Sequence, residues 1–404
     1  VTITLKVDGG TGGSLKGEYN GTSETVSGNT PKNLTVPRGS TVSFTATPAT
    51  GYAVHSWTGL TASPSTSTTA TLAVTADTAV TVKFYQNTLN ADDHPATQWL
   101  KLKELIAAAP DGGTLKIKGS ITATNSGTNY GELIINKDLS IEGIGTNPTL
   151  DANKTTGSKP AHRIFKVASG KTLTLKNLTL KGGRVEAFGE PGGGAIDAEG
   201  TLTMTDCTVT DNRTEYGNGG GIYAAGALTM TSCTVSNNTV NDADSLGGGG
   251  IYAGSTLTMT NCTVAENTSK SSSSGAGSGG GIYAAGTLTM TGGTLTDNEA
   301  VNNKTGGAVY VSNTGTFEMK GTSCVTPSTD NAKGKNDVYL DNGKMITISG
   351  TLTPPNGKAA RITVADEKYL PTTQVLTGSK VNTEYTKFTV TPKDLSGGIT
   401  QQWN

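Results

Sequence analysis

The sequence predicts an all-β protein. Its body reads as a right-handed parallel β-helix, preceded by a small β domain and begun by a short capping helix. Three observations predict this. A string of the form Thr-Leu-Thr-Met-Thr-x-Cys-Thr-Val recurs, with small variations, from Thr201, Ala227, Thr256 and Thr287. Its methionines and the one that follows (Met204, Met230, Met259, Met290 and Met319) stand 26, 29, 31 and 29 residues apart, a period that belongs to stacked repeats. Composition agrees: 55 Gly and 71 Thr in 404 residues disfavour helix, and Thr favours strand.

Residues 1–87 form the first unit. Val1 to Val7, Thr41 to Ala46, Thr71 to Val74 and Ala79 to Phe84 alternate apolar and polar side chains between Gly and Pro clusters, the period of a strand. The run from Val36 to Pro48, then Gly51-Tyr52 and Trp57-Thr-Gly59, resembles the bacterial repeat module related to the internalin B-repeat. That resemblance covers about 85 residues and implies a non-catalytic module of surface proteins. Tyr52 and Trp57 are expected to pack its core.

Residues 88–359 form the second unit. Near 97–109, Trp99, Leu102, Leu105 and Ile106 share one helical face, and Pro110-Asp-Gly-Gly113 ends the helix. Its place ahead of the repeats predicts a cap over the open end of the core. The repeats contain no 3.6-residue period, which excludes helical solenoids. A four-stranded blade wants about 40 residues. Three short strands in 26–31 residues fit one coil of a β-helix. The Gly-Gly-Gly-Ile-Tyr stretches followed by Leu-x-Met-x-x-Cys-x-Val-x-x-Asn resemble the pectin-lyase-like β-helices typical of bacterial surface proteins, over roughly residues 90–350.

Alternation assigns the faces. Leu202 and Met204 point inward and Thr201, Thr203 and Thr205 outward. After a bend at Asp206, Cys207 and Val209 point inward again, and Asn212 takes the next corner. Coils stack at about 4.8 Å, so equivalent residues form columns. Asn212, Asn238, Asn267 and Asn298 make an amide ladder, and Cys207, Cys233 and Cys262 a column of buried reduced thiols. The state of Cys324 is left open, because its coil departs from the repeat by about two residues. Tyr223, Tyr252, Tyr283, Tyr310 and Tyr339 make an outward aromatic column that continues from Lys166 and Asp197. Residues 360–404 leave the repeat and read as a C-terminal β cap, with strands at 361–364, 373–376 and 385–390.

Charge and motifs limit function. With 31 basic and 32 acidic residues, no basic stripe points to nucleic acid, and no apolar run is long enough to span a membrane. Three scattered histidines and inward cysteines give no metal site, and no cofactor motif is present. Val1 opens directly on a strand, as in a chain whose signal peptide has been removed. The expected location is extracellular or on the bacterial cell surface. Glycan cleavage needs two placed acid, base or metal-binding groups. The densest ionisable group is His162, Arg163, Arg184, Glu186, Glu190, Asp197 and Glu199. Of these, Glu186, Asp197, Arg184 and His162 are the catalytic candidates, while the central coils offer Thr and Ser instead. The expectation is a non-enzymatic protein of adhesion, display or assembly. Its ligand candidates are the tyrosine column or the corner loops 213–219, 239–248, 268–279 and 299–306. The partner classes are a glycan, a host or cell-surface protein, or a second copy. A polysaccharide lyase or hydrolase is the first alternative, and a self-assembling fibre subunit the second.

Overall fold

The computed structural model describes the chain except residues 125–127, 154–161, 187–191, 242–246, 271–277, 302–304, 330–331, 395–399 and 402–404. The N-terminal unit is two four-stranded sheets. One orders Lys32–Thr35, Thr2–Val7, Thr78–Gln86 and Tyr52–Thr58; the other orders Thr22–Ser27, Gly13–Tyr19, Ser40–Pro48 and Thr69–Val74. Ile3, Leu5, Leu15, Phe44, Val80 and Val82 form its core. Trp57 is buried, and its indole N–H donates to the Ser67 carbonyl at 2.8 Å. Tyr52 is 36% exposed, so it does not share the core position expected of it. Tyr85 faces the other way and joins the core of the solenoid, its hydroxyl donating to the Thr114 carbonyl at 3.0 Å.

The helix spans Gln98–Ala108, and Trp99, Leu102, Leu105 and Ile106 are buried as their spacing demands. Its indole N–H reaches the Gly131 carbonyl at 2.7 Å, and Leu100 N–H reaches Asn129 Oδ1 at 2.9 Å. The helix follows the first strand of the solenoid, Thr88–Asn90, and packs beside Leu133–Ile135.

Three parallel faces make up the coils. A ten-stranded sheet begins at Leu133–Ile135 and carries the Ile-Tyr-Ala strands. A second, bent face carries the Thr-Leu-Thr-Met-Thr and Thr-Val-Thr strands. A five-stranded corner sheet runs from Arg184–Val185 to Glu299–Ala300. The central coils stack in register, each residue pairing with its equivalent one coil on: Leu202 with Leu228 and Leu228 with Leu257, and Met204, Met230, Met259, Met290 and Met319 in succession. All five methionines are at most 1% exposed, while Thr201 and Thr229 are exposed and Thr203, Thr258 and Thr289 partly so.

The corners explain the acidic and amide residues that interrupt the strands. Asp206, Ser232 and Asn261 stand at φ of 51–52°, and Asp211, Asn237, Glu266 and Asp297 at 53–56°. Asn and Asp tolerate this left-handed region, whereas Glu has no such local hydrogen bond to offer. Glu266→Asn is therefore expected to raise stability by up to about 1 kcal/mol, read as a shift in urea midpoint.

The parallel ladder does not stop at residue 359. Ala360–Val364 pairs with Val338–Leu340, and Phe388–Val390 pairs with Ala360–Ile362. Ile362 and Val364 continue the inward columns, so the C-terminal segment opens as further coil rather than as a separate cap. The strand expected from Tyr385 begins only at Phe388. Val381–Glu384 is a helical turn, continued by a 3-10 turn at Tyr385–Lys387. Strand structure expected over 373–376 is confined to Leu376–Thr377.

Candidate functional site

The five tyrosines occupy the middle of successive strands in the ten-stranded sheet, in register. Their neighbours on each strand point into the core, which sends the phenols outward. The rings stack on one another. Centroids are 5.0, 5.3, 5.1 and 5.2 Å apart from Tyr223 to Tyr339, with interplanar angles of 16, 9, 14 and 6°. A glycan stacking on the column would need open ring faces, and the stack covers them. Each inner ring has both faces covered by its neighbours, and Tyr283 and Tyr310 are only 6% and 7% exposed. Ring edges and hydroxyls are what remain. Burial raises the phenol pKa values of Tyr223, Tyr252, Tyr283 and Tyr310, that of Tyr283 to about 12. The Tyr310 hydroxyl donates to Asp341 Oδ2 at 3.4 Å.

The asparagine ladder is fully hydrogen-bonded. The Nδ2 of Asn212, Asn238 and Asn267 donates to the Oδ1 of the next asparagine at 3.0, 2.9 and 3.0 Å. The backbone N–H of each also donates to that same oxygen at 3.0–3.1 Å. A fifth member, Asn336, receives the Nδ2 of Asn298 at 3.1 Å. The sequence hid it, because the segment after Val325 is longer than in other coils and Ser328 stands at the expected spacing.

Cys207, Cys233 and Cys262 are unpaired thiols, at most 1% exposed. Their Sγ atoms donate to the carbonyls of Thr205, Thr231 and Thr260 at 3.2, 3.3 and 3.4 Å. The hydrogen bond with Cys207 lifts Cys233 to about 11, and the bond with Cys233, then burial, lifts Cys262. Cys324 pairs with Thr294, one place past the column, and Ser323 takes the column position. All four thiols are buried. The native protein is accordingly expected to leave a thiol reagent unreacted, and guanidinium to release four equivalents. Any fast-reacting thiol before unfolding would contradict this packing.

The ionisable group separates into two clusters. Arg163 is 1% exposed, ion-paired to Asp197, and its Nε lies 3.1 Å from Glu132 Oε1. His162 is buried against Trp99, ring centroids 5.4 Å apart, with Nδ1 2.7 Å from the Arg163 carbonyl. Burial lowers the His162 pKa and raises that of Asp197. Arg184 lies with Glu186 at 2.5 Å and with Glu215 at 3.2 Å, and Arg213 with Glu215 at 2.5 Å. Glu190 lies outside the described residues. Glu132, Arg213 and Glu215 were not singled out from the sequence; the register that pairs Arg184 with Arg213 would have shown two of them. Each candidate acid or base is thus engaged by a neighbouring charge or sealed in the core. A groove of about 470 Å³ between the helix and the first strand of the tyrosine sheet is lined by Lys103, Ile106, Glu132, Ile134 and Lys137. It holds one carboxylate, already paired with Arg163.

Among the described residues no cluster of three His, Cys, Asp or Glu could hold a metal ion, and no helix is long and apolar enough to cross a membrane. Of the corner loops, 213–219 is described, while the centres of the other three lie outside the described residues. Residues 142–324 match the model of a right handed beta helix region, and residues 3–88 that of a divergent InlB B-repeat domain. Neither the curated proteins nor the solved structures returned a match.

Proposed function

We propose that this chain, a divergent InlB B-repeat domain joined to a right-handed parallel β-helix, is a non-enzymatic bacterial surface or secreted protein. It works in adhesion, display or extracellular assembly, with the solenoid as a stiff support and the corner loops as the variable face. One observation carries the reading. Among the described residues, the charged catalytic candidates Arg184, Glu186 and Asp197 are paired with neighbouring charges, in the Arg163–Asp197–Glu132 and Arg184–Glu186–Glu215–Arg213 groups. The central coils present Thr and self-stacked Tyr in their place. Insertions of differing length on one side of a repeat protein are where such proteins bind.

Incubation with pectin, alginate and glycosaminoglycans is expected to release no new chain ends. Turnover that disappears in Glu186→Gln would overturn the non-enzymatic part of the proposal. Beads coated with the protein are expected to adhere to bacterial or host cell layers more than beads carrying an inert rod. Adhesion no better than the inert rod on any layer would overturn the adhesive part.

A further inference from the structure

We propose that the tyrosine column carries oxidising equivalents along the solenoid and settles them on Tyr310. This goes beyond the adhesive reading and does not depend on it. Three observations support it. The first is contact: five redox-active rings lie within 5.0–5.3 Å of one another and within 16° of parallel, a continuous π stack over five coils. The second is access. Tyr223 and Tyr339, at the two ends, are partly exposed, whereas Tyr310 is 7% exposed. A bulky oxidant meets the ends of the stack more readily than this inner ring. The third is proton transfer. A phenol that loses an electron becomes a strong acid, and its radical is stabilised where a base accepts the proton. The Tyr310 hydroxyl already donates to Asp341 Oδ2 at 3.4 Å.

A one-electron oxidant takes an electron from an end ring and is reduced. That ring is refilled by its neighbour, and the vacancy passes ring to ring to Tyr310. There the O–H bond breaks, its proton goes to Asp341 Oδ2, and a neutral phenoxyl radical remains beside a carboxylic acid. Stacked between Tyr283 and Tyr339, that radical is shielded from coupling with a second molecule.

The probe is photogenerated ruthenium(III) tris-bipyridine, with the phenoxyl radical followed by electron paramagnetic resonance. The native protein is expected to give a long-lived phenoxyl. Tyr310→Phe should lower its yield several-fold. A variant with Tyr252, Tyr283 and Tyr339 all changed to Phe should lower it comparably, although Tyr310 and Asp341 remain, because Tyr310 is then cut off from both ends. Phe keeps the stacked ring, and an unchanged melting temperature checks that the fold survives. Asp341→Asn should make the yield depend on added buffer base. A long-lived radical at native yield in either the Tyr310→Phe or the triple variant would overturn the proposal.

Discussion

Replacing Asn267 with alanine is expected to destabilise the chain by about 3–6 kcal/mol, since each buried polar group left unpaired costs about 1–3 kcal/mol. Asn267 is fully buried. Its Oδ1 accepts both the backbone N–H and the Nδ2 of Asn238, at 3.0 and 2.9 Å. Its Nδ2 donates to the Val235 carbonyl at 2.9 Å and to Asn298 Oδ1 at 3.0 Å. Alanine removes all four contacts, leaving the Asn238 donors and the Val235 carbonyl on the preceding coil, and Asn298 Oδ1 on the following coil, without these partners beside a void. Aspartate keeps the shape but cannot donate when ionised, so Asn267→Asp should be most destabilising at neutral pH and recover in part as the carboxyl is protonated. Urea unfolding followed by circular dichroism measures both. A cost below about 1 kcal/mol for the alanine variant would mean that the ladder decorates the corner without holding it.

Trp99→Ala is the second large effect, expected to cost about 3–5 kcal/mol in packing alone. Trp99 is fully buried, and its indole N–H bonds to the Gly131 carbonyl at 2.7 Å. Loss of the cap has a further result. Leu133 N–H bonds to Ile164, and the Ile135 carbonyl accepts from Ala168, both inside the sheet. Alternation therefore turns the N–H and C=O of Ile134 toward the helix side. Unseating the helix exposes this strand edge together with the apolar end of the core, a template for pairing with another chain. Light scattering that rises with protein concentration in Trp99→Ala, and not in Trp99→Phe, is the expected outcome. A monomeric alanine variant would show that the edge is protected by something other than the helix.

The solenoid was legible because its columns repeat one residue per coil, and alternation alone sorted Leu202, Met204 and Cys207 from Thr203 and Thr205. Legibility failed where the string breaks. Asn336 completes the ladder only through a longer detour, and the coil at Ala360–Val364 has inward residues but no Thr-Met string to announce it. In the N-terminal unit, Gly13–Tyr19 and Thr22–Ser27 are too polar to read as strands; their pairing with each other and with Ser40–Pro48 makes them so. The tyrosine column was placed correctly and its exposure misjudged. Sequence period tells which way a side chain points, but not that its neighbours one coil away will cover its faces. The pairing within the charged cluster is hidden for a similar reason: the partners that neutralise it, Glu132 and Glu215, come from adjacent coils.

The constant register of the central coils has an evolutionary consequence. Each central coil, from the one carrying Leu202 and Met204 to the one carrying Leu288 and Met290, meets the next through the same Leu, Met and Tyr pairings. Duplicating or deleting one repeat in the gene therefore creates a junction identical to those already present. Molecular length can change in fixed increments of about 4.8 Å without any new interface having to be selected. Loop length already differs from coil to coil while that spacing holds, even though the first two residues of each loop pair between coils in the corner sheet. Such a chain behaves as a ruler whose gradations are set by the strand spacing, and natural variants should differ from one another by whole coils rather than by fractions of one.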